Sequence, residues 1–351
     1  DSQWKYRALL PVADEAAAVT LKEGGTDLIG APNLGATLGV DLSIKDDGRN
    51  PTGCLKDRAS SIAVTKAAHA GEDVVTCAST GNAAASLAGY AARAGLDCRI
   101  FVPHDAPREK LAQPLVYGAD VLAVGGTYDE AYDLSLAATD ELGWYNRNAA
   151  INPYQIEGKR TVGFELAEQT ASSVPEWLVV SMGDGCTIAG AWKGFDEFRR
   201  LGFVEETPRM LGVQAAGASA IHDAYHGHDS VHDVVETVAD SIAVGRPRNT
   251  IKACRALEAS GGTALTVTDE DILAAEVMLG SHEGLYTEPA GATAIAGIRR
   301  ARDEGVIGAG ERVVAISTGY GLKDAESALA ATDDVTRIEP DLEAVRAQYA
   351  G

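Results

Sequence analysis

No apolar run in the sequence approaches the roughly 20 residues that a membrane-spanning helix needs. No secretory signal is legible either. A cytoplasmic protein that neither crosses nor lies on a membrane is therefore expected. Basic residues are scarce: 30 Lys and Arg stand against 51 Asp and Glu, a formal net charge of −21. So acidic a surface repels phosphate backbones and anionic headgroups, which argues against nucleic acid or a membrane surface as partner. A small anionic ligand is still allowed, because one pocket can be positive inside an acidic protein. The acidity also suits a salty cytoplasm. Cysteines are few, and Cys54, Cys77, Cys98, Cys186 and Cys254 are odd in number and widely spread. None has a neighbour at metal-ligand spacing, so free thiols in a reducing compartment are expected. No fixed-period repeat stands out, and no low-complexity linker separates two halves.

What is present suffices for a large core. A chain of 351 residues, 46% apolar, holds one large or two medium domains. Short apolar runs alternate with helical patterns. Val74–Ala78, Cys98–Val102 and Asp120–Val124 read as strands. They are separated by helices over Ala83–Ala94 and Arg108–Tyr117 and followed by one over Tyr128–Leu142. The pattern resumes with a helix Thr161–Thr170, a strand Trp177–Met182, a helix Thr187–Arg200 and a strand Met210–Ala215. Later come helices Asp269–Leu279 and Thr293–Glu304 and a strand Arg312–Ser317. Nearer the start, Tyr6–Leu10 reads as helical and Ala18–Leu21 as extended. A short helix over Ala31–Gly39 and a strand Val40–Lys45 follow. This alternation predicts parallel βαβ units, whose ligands bind beyond the carboxyl ends of the strands.

The loops at those ends therefore carry the chemistry. Asn50-Pro51-Thr52-Gly53-Cys54-Leu55-Lys56-Asp57-Arg58 is a tight turn running into a helix over Ala59–Ala70. A cation at a helix N-terminus is electrostatically misplaced. Lys56 is either a solvated lysine offset by Asp57 or an amine kept neutral to attack a carbonyl. Ser79-Thr80-Gly81-Asn82 follows a strand and opens a helix. It is either an ordinary N-cap or a carboxylate cradle of backbone N–H groups. Gly183-Asp184-Gly185-Cys186-Thr187 is either a tight turn or a nest for a phosphate. Ser317-Thr318-Gly319-Tyr320-Gly321-Leu322-Lys323-Asp324 follows the last strand.

Taken together, these blocks resemble the threonine synthase-like, fold-type II pyridoxal-phosphate enzymes. That family shows Pro-Thr-Gly-Ser-Phe-Lys-Asp-Arg around its cofactor lysine, a Ser-Thr-Gly-Asn loop, a Glu-Pro-Ala block matched by Glu288-Pro289-Ala290, and Thr-Gly-His-Gly-Leu-Lys-Asp. The likeness spans roughly Leu21 to Asp324, in order. It implies an α/β fold of two open, mostly parallel twisted sheets flanked by helices. Residues 1–58 and 151–351 would form a large cofactor-binding domain, and 59–150 a small mobile one. It implies a Schiff base between Lys56 and pyridoxal 5'-phosphate, with Lys56 as the catalytic base at Cα. The cofactor would be held by Lys56, Asn82, Gly183, Asp184, Gly185, Cys186, Thr187 and Thr318, with Asn82 at its phenolic oxygen and Thr318 at its pyridine nitrogen. A carboxylate at Asp184 would repel the phosphate, so that side chain is expected to turn away and bond a neighbour. The likeness also implies a homodimer.

The candidate substrate contacts are Ser79, Thr80, Gly81, Asn82, Ala83, Gln155 and Arg246. Here the sequence departs from the family. Cys54, Ala83, Ala149, Ala150, Gln155 and Thr187 replace donors that hold the phosphate of O-phosphohomoserine in true threonine synthases. A lyase acting by elimination or replacement on a small, non-phosphorylated L-amino acid is therefore expected. A threonine synthase with a rebuilt phosphate site and a serine/threonine dehydratase are the alternatives. Arg246 and Arg248 are either new anion ligands or solvated loop residues. From another class, a non-catalytic or nucleotide-binding α/β protein would use Gly183–Thr187 without a cofactor imine. His222, His226, His228 and His232, with Asp223, Asp229 and Asp233, lie in a polar, loop-like stretch. A solvated segment is expected there, and no metal.

Overall fold

The computed structural model describes residues 2–13, 16–149, 151–232, 236–332 and 334–349. Ala150 and Asp233, both named above, lie outside the described residues. Among the described residues ten strands are formed: β1 Leu28–Gly30, β2 Asp41–Asp46, β3 Val74–Ala78, β4 Asp97–Pro103, β5 Asp120–Val124, β6 Tyr145–Asn146, β7 Trp177–Ser181, β8 Arg209–Ala215, β9 Thr263–Val267 and β10 Arg312–Ser317. They form two sheets. The larger runs β1-β2-β10-β7-β8-β9 and the smaller β5-β4-β3-β6. Among the described residues every pairing is parallel except β1 with β2.

The parallel pairing follows from composition. Trp-Leu-Val-Val-Ser of β7 is buried at every position, as suits a β-branched strand covered on both faces. Successive residues turn to opposite sides. Trp177 and Val179 join Val213, Val313 and Ala315 beneath Ile295 and Ile298 of the helix Pro289–Asp303. Leu178 and Val180 join Val314 and Ile316 on the other face, against Phe164, Phe195 and Phe198. The aromatic rings of Phe164 and Phe198 stack there with centroids 4.8 Å apart.

Three helices on this second face set the position of Lys56. Helix Tyr154–Gln169 lies between Lys56–Ala70 and Cys186–Arg200. The approach is closer than side chains allow. A Cβ on Gly158 would come within 2.3 Å of the Arg58 carbonyl oxygen, and one on Gly194 within 2.0 Å of that of Arg160. Beneath the contact lies an ionic cluster. Arg58 is fully buried and grips Asp47 at 2.7 and 2.8 Å and Glu165 at 2.7 and 2.8 Å. Lys45, equally buried, holds Glu165 at 2.8 Å. These bonds tie β2, the turn after it and two helices together directly behind Lys56.

Several expectations need correcting. The helix expected to start at Thr161 begins at Tyr154, because Pro153 ends the preceding turn in helical geometry. The helix after the Lys56 turn starts at Lys56 itself. Strands β1, β6 and β9 escape a periodicity reading: the first two have three and two residues, and Thr-Ala-Leu-Thr-Val of β9 has no strong apolar run.

Candidate active site

A cavity of about 430 Å³ opens between the two sheets, a size typical of small-molecule sites. It lies beyond the carboxyl ends of β3, β6, β7 and β10. Lys56, Ser79, Thr80, Gly81, Asn82, Ala83, Gly183, Asp184, Gly185, Cys186, Thr187, Arg246 and Thr318 all line it. The sequence-derived candidates thus converge, with one exception. Gln155 is fully buried and does not line the cavity; its Nε2 and Oε1 bond nothing. Starting the helix at Tyr154 puts Gln155 in its first turn, so the expected substrate contact is withdrawn into the protein.

The turn before Lys56 is stitched to the loop after β10. Leu55 N donates to the Thr318 carbonyl at 2.8 Å, and Tyr320 N to that of Gly53 at 2.9 Å. Lys323 Nζ donates to the Thr52 carbonyl at 3.0 Å. Thr52 N donates to Asp57 Oδ2 at 2.7 Å, and burial raises the Asp57 carboxyl to about 6. Lys56 is thereby presented on a backbone fixed at both ends. Burial, and next the charge of Lys159, push its amine below the ordinary lysine value. A neutral amine is a nucleophile and base where an ammonium is neither.

The glycine loop after β7 has the form of a nest. Gly185 adopts φ +82°, and a Cβ on Gly183 would come within 2.9 Å of Ile242 Cα. The helix Cys186–Arg200 starts there, so its first N–H groups have no helical partner. Asp184 turns aside: its carboxylate accepts from Arg248 N and Asn249 Nδ2, each at 2.7 Å. Ser181 Oγ, on the cavity wall, is buried without a partner. The donor-rich nest, the orphan hydroxyl and a depressed lysine amine together fit a phosphorylated aldehyde such as pyridoxal 5'-phosphate.

The structure adds residues that sequence reasoning missed. Arg147 follows the two-residue β6, and Lys159 lies in the second turn of the helix Tyr154–Gln169. Both are buried and both line the cavity. Among the described residues the Arg147 guanidinium donates only to Ser60 Oγ, while its backbone N donates to the Thr76 carbonyl. Among the described residues neither cation meets a carboxylate. Glu288 holds Asn82 from behind, its two oxygens accepting from Nδ2 at 2.7 and 3.0 Å.

In the histidine-rich stretch, no group of side chains among the described residues is placed to hold a metal ion. Nor is the stretch simply solvated. Asp223 accepts from His222 Nδ1 and His232 Nε2, each at 2.9 Å, and His232 reaches the cavity rim.

Comparison with known proteins agrees with this geometry. A family model described as pyridoxal-phosphate dependent enzyme matches residues 19–319. The threonine synthase of Methanocaldococcus jannaschii is 42% identical over 350 residues, covering 98% of this chain and 86% of its own. That of Mycobacterium bovis is 39% identical over 341 residues, covering 97% and 93%. The processed form of threonine deaminase isoform 2 from Solanum lycopersicum superposes with a TM-score of 0.77 at 24% identity, covering 94% of this chain and 92% of its own. At that identity the likeness speaks for the fold alone.

Proposed function

Because the chain belongs to the pyridoxal-phosphate dependent enzymes and is threonine synthase-like, we propose that it eliminates or replaces a side-chain oxygen substituent of an L-amino acid. One observation carries this: the Lys56 amine, the Gly183–Thr187 nest and the Ser79–Ala83 loop line a single cavity. When bound, the cofactor supplies an imine-forming aldehyde and an electron sink for a carbanion. The protein supplies the rest. Gly183, Gly185, Cys186 and Thr187 offer backbone N–H groups to the phosphate, and Ser181 adds a hydroxyl. Ser79 to Asn82 orient the substrate's carboxylate at the start of the helix Asn82–Ala94. Lys56 takes the proton from Cα and can return it. Thr318 offers a hydroxyl to the ring nitrogen, which leaves that nitrogen largely unprotonated. We assign residues 59–150 to the substrate side of the cleft and 1–58 with 151–351 to the cofactor side, and expect a homodimer.

Two substrate readings compete. The missing family donors favour a small amino acid without phosphate. Arg147 and Lys159 favour one with a second anion, that is, a rebuilt phosphate site, and we adopt this second reading. A buried cation without a counter-ion costs several kcal/mol, and burial lowers the Arg147 guanidinium below its ordinary value. Arg147 and Lys159 thus give the cavity two buried cations that a substrate anion would pair. Purified protein with added pyridoxal phosphate should turn yellow and release inorganic phosphate from a phosphorylated amino acid such as O-phosphohomoserine. Arg147→Met should lower kcat/KM for that substrate about 10²-fold, the loss of about 2–3 kcal/mol of charged hydrogen bonding. Turnover of serine or threonine should change less than about threefold. Equal losses on both kinds of substrate would restore the non-phosphorylated reading.

A further inference from the structure

The backbone of Arg147 is firmly held and its side chain is not. Its N donates to the Thr76 carbonyl at 2.8 Å, just beyond the pairing of β6 with β3. The next residue is pinned as well, since Asn148 Oδ1 accepts from Ala78 N at 3.0 Å. The side chain is only 3% exposed, and among the described residues it has one neutral partner. That partner is the Ser60 hydroxyl, whose Oγ accepts from Nε at 3.4 Å and from Nη2 at 3.2 Å. Among the described residues Nη1 donates to nothing, on a side chain that lines the cavity. Buried cations are ordinarily paired with an anion; this one is steered by a single oxygen.

Ser60 is a fixed point for a reason legible in its helix. It stands four residues after Lys56 in the helix Lys56–Ala70, on the same face and one turn further on. It is fully buried, and Ser86 Oγ of the helix Asn82–Ala94 donates to it at 2.8 Å. We propose that Ser60 is a positioning residue for the substrate's second anion, aiming the Arg147 guanidinium so that its unused N–H groups meet a phosphate. Arg147 supplies the charge and Ser60 the direction. The division follows from the shape of the cation. A guanidinium is a planar fork that grips an oxyanion well only when its plane is set, whereas an ammonium such as that of Lys159 can rotate its donors to suit. Without Ser60 the long arginine side chain would keep its charge in the cavity and lose its orientation.

The inference rests on the functional reading above, specifically its phosphate branch. Wild type, Ser60→Ala, Ser86→Ala, Arg147→Met and the Ser60→Ala/Arg147→Met double variant are loaded with pyridoxal phosphate. Two quantities are measured on each: the dissociation constant of inorganic phosphate by calorimetry, and kcat and KM for phosphate release from O-phosphohomoserine. Ser60→Ala removes one oxygen and should fold; melting temperatures check every variant. In Ser60→Ala the phosphate dissociation constant and KM should both rise about tenfold, the worth of one hydrogen bond to a charged group, while kcat changes less than about twofold. Ser86→Ala leaves the Arg147 acceptor in place and should stay within about twofold of wild type. Because Ser60 acts through Arg147, the double variant should be no weaker than Arg147→Met alone, within about twofold. Ser60→Ala equal to wild type, Ser86→Ala as weak as Ser60→Ala, or a double variant showing the product of both single losses each overturns the positioning role. A wild type that takes up the cofactor and binds no inorganic phosphate overturns it too and leaves the cofactor assignment standing. A wild type that takes up no cofactor overturns the functional reading and this inference with it.

Discussion

Lys56→Ala is expected to lose turnover by about 10⁴-fold or more, because it removes the covalent anchor and the proton-transferring base together. Two features make the loss hard to bypass. The buried cations that line the cavity beside Lys56, Arg147 and Lys159, lie on different elements. A guanidinium does not give up its proton, and Lys159 sits on the helix Tyr154–Gln169 rather than on the turn that aims Lys56. The backbone of that turn is held by Thr318, Gly53 and Lys323, so the cavity should keep its shape without the amine. The variant should therefore still bind pyridoxal phosphate through the nest, more weakly and without the visible imine band. Borohydride treatment followed by peptide mapping should label Lys56 in wild type and no residue in the variant. Full activity in Lys56→Ala would refute the role.

Arg58→Met should cost about 3–5 kcal/mol of stability, the usual penalty for removing one partner of a buried ion pair. Arg58 satisfies Asp47 and Glu165 with charge-assisted bonds of 2.7–2.8 Å. Methionine fills the space and satisfies neither carboxylate. Lys45 remains on Glu165, but Asp47 keeps only the Thr26 hydroxyl at 2.6 Å. The urea midpoint reads the loss if the slope is unchanged. The pH dependence has a definite sign. Although burial alone would raise the Glu165 carboxyl, Arg58 and then Lys45 hold it well below the usual carboxylate range. A depressed carboxylate contributes stability that is complete above its unfolded value of about 4.3 and is lost as pH falls through the folded one. The gap between wild type and Arg58→Met should therefore be widest near neutrality and narrow below about pH 4. An unchanged midpoint would mean that the cluster is not what secures the helix behind Lys56.

How far the sequence could be read depended on how local each signal is. The strand Val74–Ala78 and the helices Arg108–Val116 and Tyr128–Leu142 were legible because apolar period and end signals act within a few residues; Thr127, for instance, caps the last through a reciprocal bond with Glu130. The loops at Lys56, Ser79–Asn82, Gly183–Thr187 and Thr318 were legible for a related reason, since each is a short contiguous stretch at the end of a strand or the start of a helix. Asp184 could be expected to turn aside on charge alone, and it bonds Arg248 N and Asn249.

The linear pattern determined the α/β class and the parallel sheets, and it marked the Lys56, Ser79–Ala83, Gly183–Thr187 and Thr318 segments that line one cavity, because those properties are encoded within single segments. Only the tertiary structure decided which buried charges share the cavity. It withdrew Gln155, brought in Arg147 and Lys159, and set Glu288 behind Asn82. Each of these follows from helix register and from glycine contacts such as Gly158 on Arg58. Glu165 meets Arg58 from 107 residues away and Lys45 from 120, and no local spacing records such distances.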